Sequence, residues 1–373
     1  MIMKGLVRIL ILVSILFQVG CWDQQLLVDK KIVNNISIDK VKNGQLLIGA
    51  SAIDLVTKGG GQYNLTYDTF LETSENLMGG GNKINRKMAG RADITKANSI
   101  LIGEELATAD IYPILDYFYR NTTSNFGSYL ALIRGRASEF LKSRAKEEIA
   151  IGSGINRTIL SAEKAGILPK INLKSVLTQI TSPNKDFLLP YLEQNNLQIK
   201  ILGTALFHNR KYSGKYIPIE KTNILMLLQG KNKPFFYKTK INDGKSSNIK
   251  KTITIRVEAS KKKQRLVIDT SGKVNFNIKI SAKVRIVENP PLQVLSIEDI
   301  ERLNTVLSKH LTEDARKVTS ITQKANSDIL GISKFVRAYY YNFWEKENWE
   351  EIYPHININP KISVKISSNG LIR

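Results

Sequence analysis

The chain has one cysteine in 373 residues, Cys21. A lone cysteine cannot form an internal disulfide, and it leaves no thiol cluster for a zinc site. Histidine is nearly as scarce. His208, His310 and His355 stand far apart, without the HxxxH or HExxH spacing that places two ligands on one helical face. Also missing are a GxSxG nucleophile elbow, a P-loop and a GxGxxG fingerprint. The carboxylate pairs Glu104-Glu105 and Glu350-Glu351 are adjacent in sequence, and neighbours on a helix do not face a common point. No recognisable catalytic set remains, and the chain reads as a non-enzyme.

Long apolar runs are almost absent too. The exception is "ILILVSILFQVGCWD", Ile9 to Asp23. Crossing a bilayer takes roughly 20 apolar residues, and this run offers about a dozen before Gly20. Lys4 and Arg8 precede it, which is the charge layout of a secretory signal. Val19, Gly20 and Cys21 resemble a bacterial lipobox, with Gln18 where leucine is usual. The expectation is a signal peptide over residues 1–20 and cleavage between Gly20 and Cys21. Cys21 then carries covalent diacylglycerol and an acyl chain, with no other cofactor. Two or more acyl chains anchor stably where one is marginal. An uncleaved anchor with an incidental cysteine is the alternative.

Negative charge is in short supply. Lysine and arginine number 55 against 33 aspartates and glutamates, a net charge of +22. Losing Lys4 and Arg8 with the signal leaves +20. So basic a chain is drawn to polyanions, and export favours a membrane lipid surface over nucleic acid. The excess is densest from Lys231 to Arg285, where sixteen basic residues face Asp243, Glu258 and Asp269. Lys261, Lys262, Lys263 and Arg265 are the candidate contacts to anionic lipid. The competing reading is a solvated hairpin tip whose lysines protect a sheet edge.

What is present alternates between strand and helix signals. Asn43-Gly44 between two β-rich runs predicts a hairpin turn. "KGGGQ", "MGGGNK" and the Gly-Ser-Gly around Ser153 read as loops or turns, and Phe70, Leu71 and Leu77 show helical spacing. "ANSILIGEELA" and "GSYLALIRGRASEFL" each read as strand then helix, predicting an α/β domain over residues 21–190. "LLPYLEQNN" reads as a linker. In the second half, Asn209-Arg210-Lys211 marks a turn between strands, and Gly230 caps a helix. Val274, Phe276, Ile278, Ile280, Ala282, Val284 and Ile286 alternate with polar residues, one strand face buried and one wet. "TITIRVE" and "RLVID" flank it in an expected antiparallel sheet. A long amphipathic helix follows Ser296, its N-cap, and "HININPKISVKIS" closes the chain as a strand. The aromatic stretch Phe335, Tyr339, Phe343, Trp344, Trp349 and Tyr353 packs the core or offers a protein-contact surface. The class is α+β, with mixed and antiparallel sheets packed with helices and a C-terminal α+β domain over 197–373.

Four segments carry a family likeness: "GCWDQQLL" with "ISID", "ILIGEELA", "LGTALFHNRKYSGKY", and "TQKANSDILGISKFVRAYYYNFWEKENWEEIYPHININPKISVKIS". The chain resembles the Ger(x)C family of spore-germination lipoproteins, the C subunits of GerA-type germinant receptors. Members often have a histidine where this chain reads "ITKAN", and Ser333 replaces a usual glycine. The resemblance implies three compact α/β domains and an extracytoplasmic lipoprotein on the spore inner membrane. It also implies membrane-embedded A and B subunits as partners, and no catalytic residues. A solute-binding lipoprotein feeding a transporter is the other reading.

Overall fold

The computed structural model describes residues 30–373, apart from 60–61, 89, 146–150, 183–185, 196–197, 232, 242–250, 289–295 and 369–373. Gly20 and Cys21 lie outside the described residues.

The first half builds a nine-stranded mixed sheet. Its strands are β1 (Lys30–Lys40), β2 (Leu46–Gly59), β3 (Gln62–Ser74), β4 (Arg91–Asp93), β5 (Ser99–Gly103), β6 (Tyr129–Ile133), β7 (Phe187–Asn195), β8 (Gln198–His208) and β9 (Lys211–Pro218). The order is β3-β2-β1-β5-β6-β7-β8-β9, with β4 beside the start of β1. β1, β5, β6 and β7 run parallel, flanked by antiparallel strands on both sides. The β1–β2 turn has Asn43 and Gly44 at positive φ, as their residue types predict. Every residue of β5 is buried. Its Ile100 and Ile102 face one core while Leu101 faces another, the pattern of a strand covered on both sides. The larger core receives residues from α1 (Leu77–Lys87), the short α2 (Glu104–Ala107), α3 (Tyr112–Arg120) and α6 (Leu173–Ile180). The smaller receives α4 (Ala137–Ala145) and α5 (Ile151–Lys164).

Four local expectations are corrected here. Phe70 and Leu71 lie on β3, where register with β2 pairs Leu71 with Gly49; the run's threonines and aromatics suit a strand. Gly79 to Gly81 form the first turns of α1, with the Asn76 side chain accepting from Gly79 N at 2.7 Å. A Cβ on Gly80 would collide with Ile48, so glycine lets this helix lie close on the sheet. Ser153 and its flanking glycines fall inside α5. The expected linker is β7, buried from Phe187 to Leu192. Pro190 is accommodated because pairing with β6 begins only at Tyr191, so its missing N–H breaks no bond on that side.

The second half builds a four-stranded sheet in the order β10-β11-β12-β13. These strands are β10 (Phe235–Ile241), β11 (Lys251–Ile268), β12 (Val274–Glu288) and β13 (Asn357–Ser368). Helix α7 (Ile219–Leu228) leads into it, with Gly230 at φ 78° just past its end. "TITIRVE" and "RLVID" are the two ends of the single strand β11, which bulges between Val257 and Ala259. β13 runs parallel to β12, so this sheet is mixed rather than antiparallel. The alternation along β12 holds, with Val274 through Ile286 buried on one face.

Helix α8 (Ile297–Lys324) packs Leu303, Leu307, Leu311, Ala315 and Val318 inward. Ser296 and Asp299 close a capping box at its start. A second stripe of α8 seals the free edge of β13. Asn304 Oδ1, Ser308 Oγ and Thr312 Oγ1 accept from the N–H groups of Ile366, Val364 and Ile362 at 2.9, 2.8 and 3.0 Å. Four helical residues rise about 6 Å and two strand residues about 6.6 Å, so the two repeats stay in step. After α8 come α9 (Ile332–Tyr339), α10 (Tyr341–Lys346) and α11 (Trp349–Ile352). One hydrophobic cluster runs from Ile38 on β1 to Phe276 on β12, continuous between the two sheets.

Candidate functional sites

Three features gather the charged and motif residues. The first lies at the C-terminal ends of the parallel strands, where open α/β sheets usually bind ligands. Asp39, buried at the end of β1, accepts from Ala137 N and Ser138 N at 2.7 Å each. A strand carboxylate therefore caps the N-terminus of α4, a favourable place for negative charge. Gly103 must be glycine because a Cβ would overlap Asp39 Oδ1. The next residue, Glu104, accepts from the Tyr191 hydroxyl at 2.8 Å. Arg134 donates to the same hydroxyl at 3.2 Å and to Glu193 at 2.9 Å, with its guanidinium 5.3 Å from the Tyr191 ring centre. Burial, with Glu104 as acceptor, raises the Tyr191 pKa, so the phenol stays a neutral donor. The Tyr191 bond raises Arg134 further, keeping it cationic. These groups satisfy one another, and the "GEELA" stretch works here as a latch between β5, β6 and β7.

The second cluster joins the two halves. Asp186, just before β7, is buried and accepts from Asn209 N at 3.0 Å and from Asp328 N at 2.6 Å. His208 Nδ1 lies 3.1 Å from Asp186 Oδ1, the oxygen that also accepts from Asn209 N, while Asp328 N bonds Oδ2. Asp328 in turn accepts from Ile332 N and Ser333 N at 2.8 and 2.7 Å, capping α9. Ser327 Oγ donates to Phe207 O, and the buried Tyr353 hydroxyl donates to Ser327 O at 3.0 Å. The "SDILG" segment is thus the clasp that fastens the C-terminal helices to β7 and β8. Complete burial pushes the Asp328 carboxyl up to about 6, burial also raises Asp186, and the Asp186 bond raises His208.

The third is the outer face of the second sheet. The alternation of β11 divides the predicted basic run. Lys261, Lys263 and Arg265 are exposed and pair with Ser281, Lys279 and Asn277 on the wet side of β12. Lys262 pairs with the buried Ile280 and so points the other way. Its stem reaches Gly230, burial lowers its pKa, and it leaves the candidate lipid-contact set on geometric grounds. Nor do these lysines form a hairpin tip, since they sit within β11 before its turn into β12; past Val257 that strand pairs with β12 alone, so they do lie along a sheet edge.

The remaining predicted residues take structural places. His310 Nδ1 lies 2.8 Å from Thr239 Oγ1, and His355 is exposed. Among the described residues, no group of three or more His, Cys, Asp or Glu is placed to hold a metal. Much of the aromatic stretch packs the core: Phe335 packs on Phe276 and Tyr353 is buried, while Tyr339 is 74% exposed. An aromatic groove between α3 and α6, lined by Tyr112, Tyr119, Phe126 and Leu177, carried no sequence signal. Among the described residues no helix is long and apolar enough to cross a membrane.

Residues 23–194 match the family described as "Spore germination protein N-terminal domain", and residues 202–370 the one described as "Spore germination B3/ GerAC like, C-terminal". The chain is 23% identical over 368 residues to the spore germination protein GerQC of Bacillus cereus, covering 97% of this chain and 98% of that protein. It is 20% identical over 402 residues to spore germination protein KC of Bacillus subtilis (strain 168), covering 100% and 97%. The crystal structure of the GerBC protein shares the fold, with a TM-score of 0.59 at 20% identity over 89% of this chain and 96% of that one. Both halves, in order and nearly end to end, thus place the chain in the GerAC-like family of spore germination proteins, a family without enzymatic activity.

Proposed function

We propose that this chain is a lipid-anchored C subunit of a nutrient germinant receptor, held on the outer face of the spore inner membrane beside A and B subunits. The observation that carries the reading is the family match beginning at Asp23, two residues after the lone cysteine that ends an apolar run. Diacylglycerol and acyl chains on Cys21 confine the folded body to the membrane plane. Confinement raises its effective concentration next to its partners. Eight residues lie between Cys21 and Lys30, the start of β1, and an extended chain over that span reaches at most about 30 Å. The body therefore works close to the headgroups.

The transporter-linked solute-binding reading needs two lobes hinged about a cleft. At the junction of the halves lie instead the Asp186–Asp328 clasp and the continuous core, which favours a body that transmits contacts over one that closes on a small molecule. The test is complementation. Spores lacking this chain receive either the wild-type gene or Cys21→Ala, and nutrient-triggered germination is followed with co-purification of A and B subunits. Wild type restores both, whereas Cys21→Ala leaves the chain off the membrane and germination impaired. Full function of an unanchored chain contradicts the proposal.

A further inference from the structure

The second sheet has one face packed against helices and one left open. Its four strands contain thirteen lysines and arginines but only two carboxylates, Glu258 and Glu288. Glu258 is held by Arg285 at 3.4 Å, and Glu288 accepts from Thr254. Register stacks like charges directly across the strands: Lys263 opposes Lys279, which opposes Lys361, all three exposed. Lys283 and Lys365 form another such pair. Like charges placed directly opposite are destabilising in a sheet, so a row of three lysines signals an external counter-charge.

Edge protection, the usual reason for lysine on strands, does not account for the whole row. It could account for Lys261 and Lys263, because past Val257 β11 pairs with β12 alone, but Lys279 and Lys283 lie on β12 between β11 and β13, and the edge of β13 is already sealed by Asn304, Ser308 and Thr312. Beside β13 the open face continues into a groove of about 570 Å³, where Lys309 and Arg316 of α8 add to Lys279 and Lys361, with Glu313 the opposing carboxylate. Phe236, 59% exposed, stands on the same face next to Arg256. Lysine-rich and edged by one exposed apolar ring, this surface matches a headgroup layer. It lacks the succession of aromatic platforms on which nucleic-acid bases stack.

We propose that the open face of the second sheet docks on an anionic phospholipid bilayer, so that the anchored body lies with β11, β12 and β13 against the headgroups. This rests on the tethered reading for its access to a membrane.

The test uses the full chain and two vesicle types, pure phosphatidylcholine and the same lipid with one-third phosphatidylglycerol. Attachment to neutral vesicles reads the tether; the extra partitioning onto anionic vesicles reads the face, so the two ideas fail separately. Each surface lysine contributes roughly fivefold to such partitioning. Replacing Lys263, Lys279 and Lys361 with glutamine is expected to cut the anionic increment on the order of 100-fold. Arginine at the same positions keeps it. Glutamine at the exposed Lys42, Lys96 and Lys170 of the first half, an equal loss of charge, leaves most of it. The increment also collapses in about 1 M salt, where screening shortens to ~3 Å. No anionic increment in the wild type, or equal loss from both glutamine triples, overturns the proposal. So does an unchanged increment accompanied by lost binding of an acidic protein partner.

Discussion

Single side chains decide how the two halves hold together. Asp328 and Asp186 carry carboxyls raised by burial, and His208 is raised by Asp186. All three bind protons more readily in the folded protein than in the unfolded chain. Their stabilisation is therefore complete at low pH and fades as pH rises, through about 6 for Asp328 and above the ordinary imidazole value for His208. Melts of wild type against His208→Gln isolate the histidine's share. The wild-type Tm is expected to fall more steeply above pH 6.5 than the variant's, and parallel curves would remove His208 from the clasp. Glycines give a second residue-scale test. Gly103→Ala drives a methyl into Asp39 Oδ1 and is expected to cost about 1–3 kcal/mol. Gly44→Ala meets open space at φ 75° and is expected to cost only about 1–2 kcal/mol, from backbone strain alone. Urea denaturation ranks the pair. Asp328 was visible in the sequence as part of a motif, but Asp186 lies 142 residues away, and no local pattern announces such a partner.

At the level of elements, periodicity carried most of the information. The α8 repeat with its Ser296 cap and the two faces of β12 were legible because each follows one uninterrupted period, and β5 because its apolar run is unbroken. It failed where packing overrode composition. The triple glycine of α1 is helical because the sheet lies so close beneath it, and the proline of β7 sits where a strand tolerates it. Charge clustering was visible too, but only the β11–β12 register divides Lys262 from its neighbours. The polar stripe Asn304, Ser308, Thr312 on the amphipathic α8 is an edge seal, recognisable only once β13 is beside it. Ser308→Ala leaves the Val364 N–H without its acceptor and is expected to destabilise by about 1–3 kcal/mol. Amide exchange at Val364 should quicken while Ile100 in β5 stays protected. Unchanged protection at Val364 would mean the edge is held by packing alone.

For the whole molecule, the lack of thiols, paired histidines and catalytic motifs pointed away from chemistry, and the apolar run ending at a lone cysteine pointed toward a tether. The family likeness was readable in segments spread along the chain, two of which encode joints of the fold: Gly103 beside Asp39, and Asp328 beside Asp186. How the two sheets share one core was not readable, because it depends on contacts made across hundreds of residues. The account as a whole stands on the state of Cys21. Its most direct test is the intact mass of the chain extracted from purified spore inner membranes. The account predicts a mature polypeptide starting at Cys21 and carrying diacylglycerol plus an acyl chain; a chain that still starts at Met1, with a free thiol and found in the soluble fraction, would contradict it.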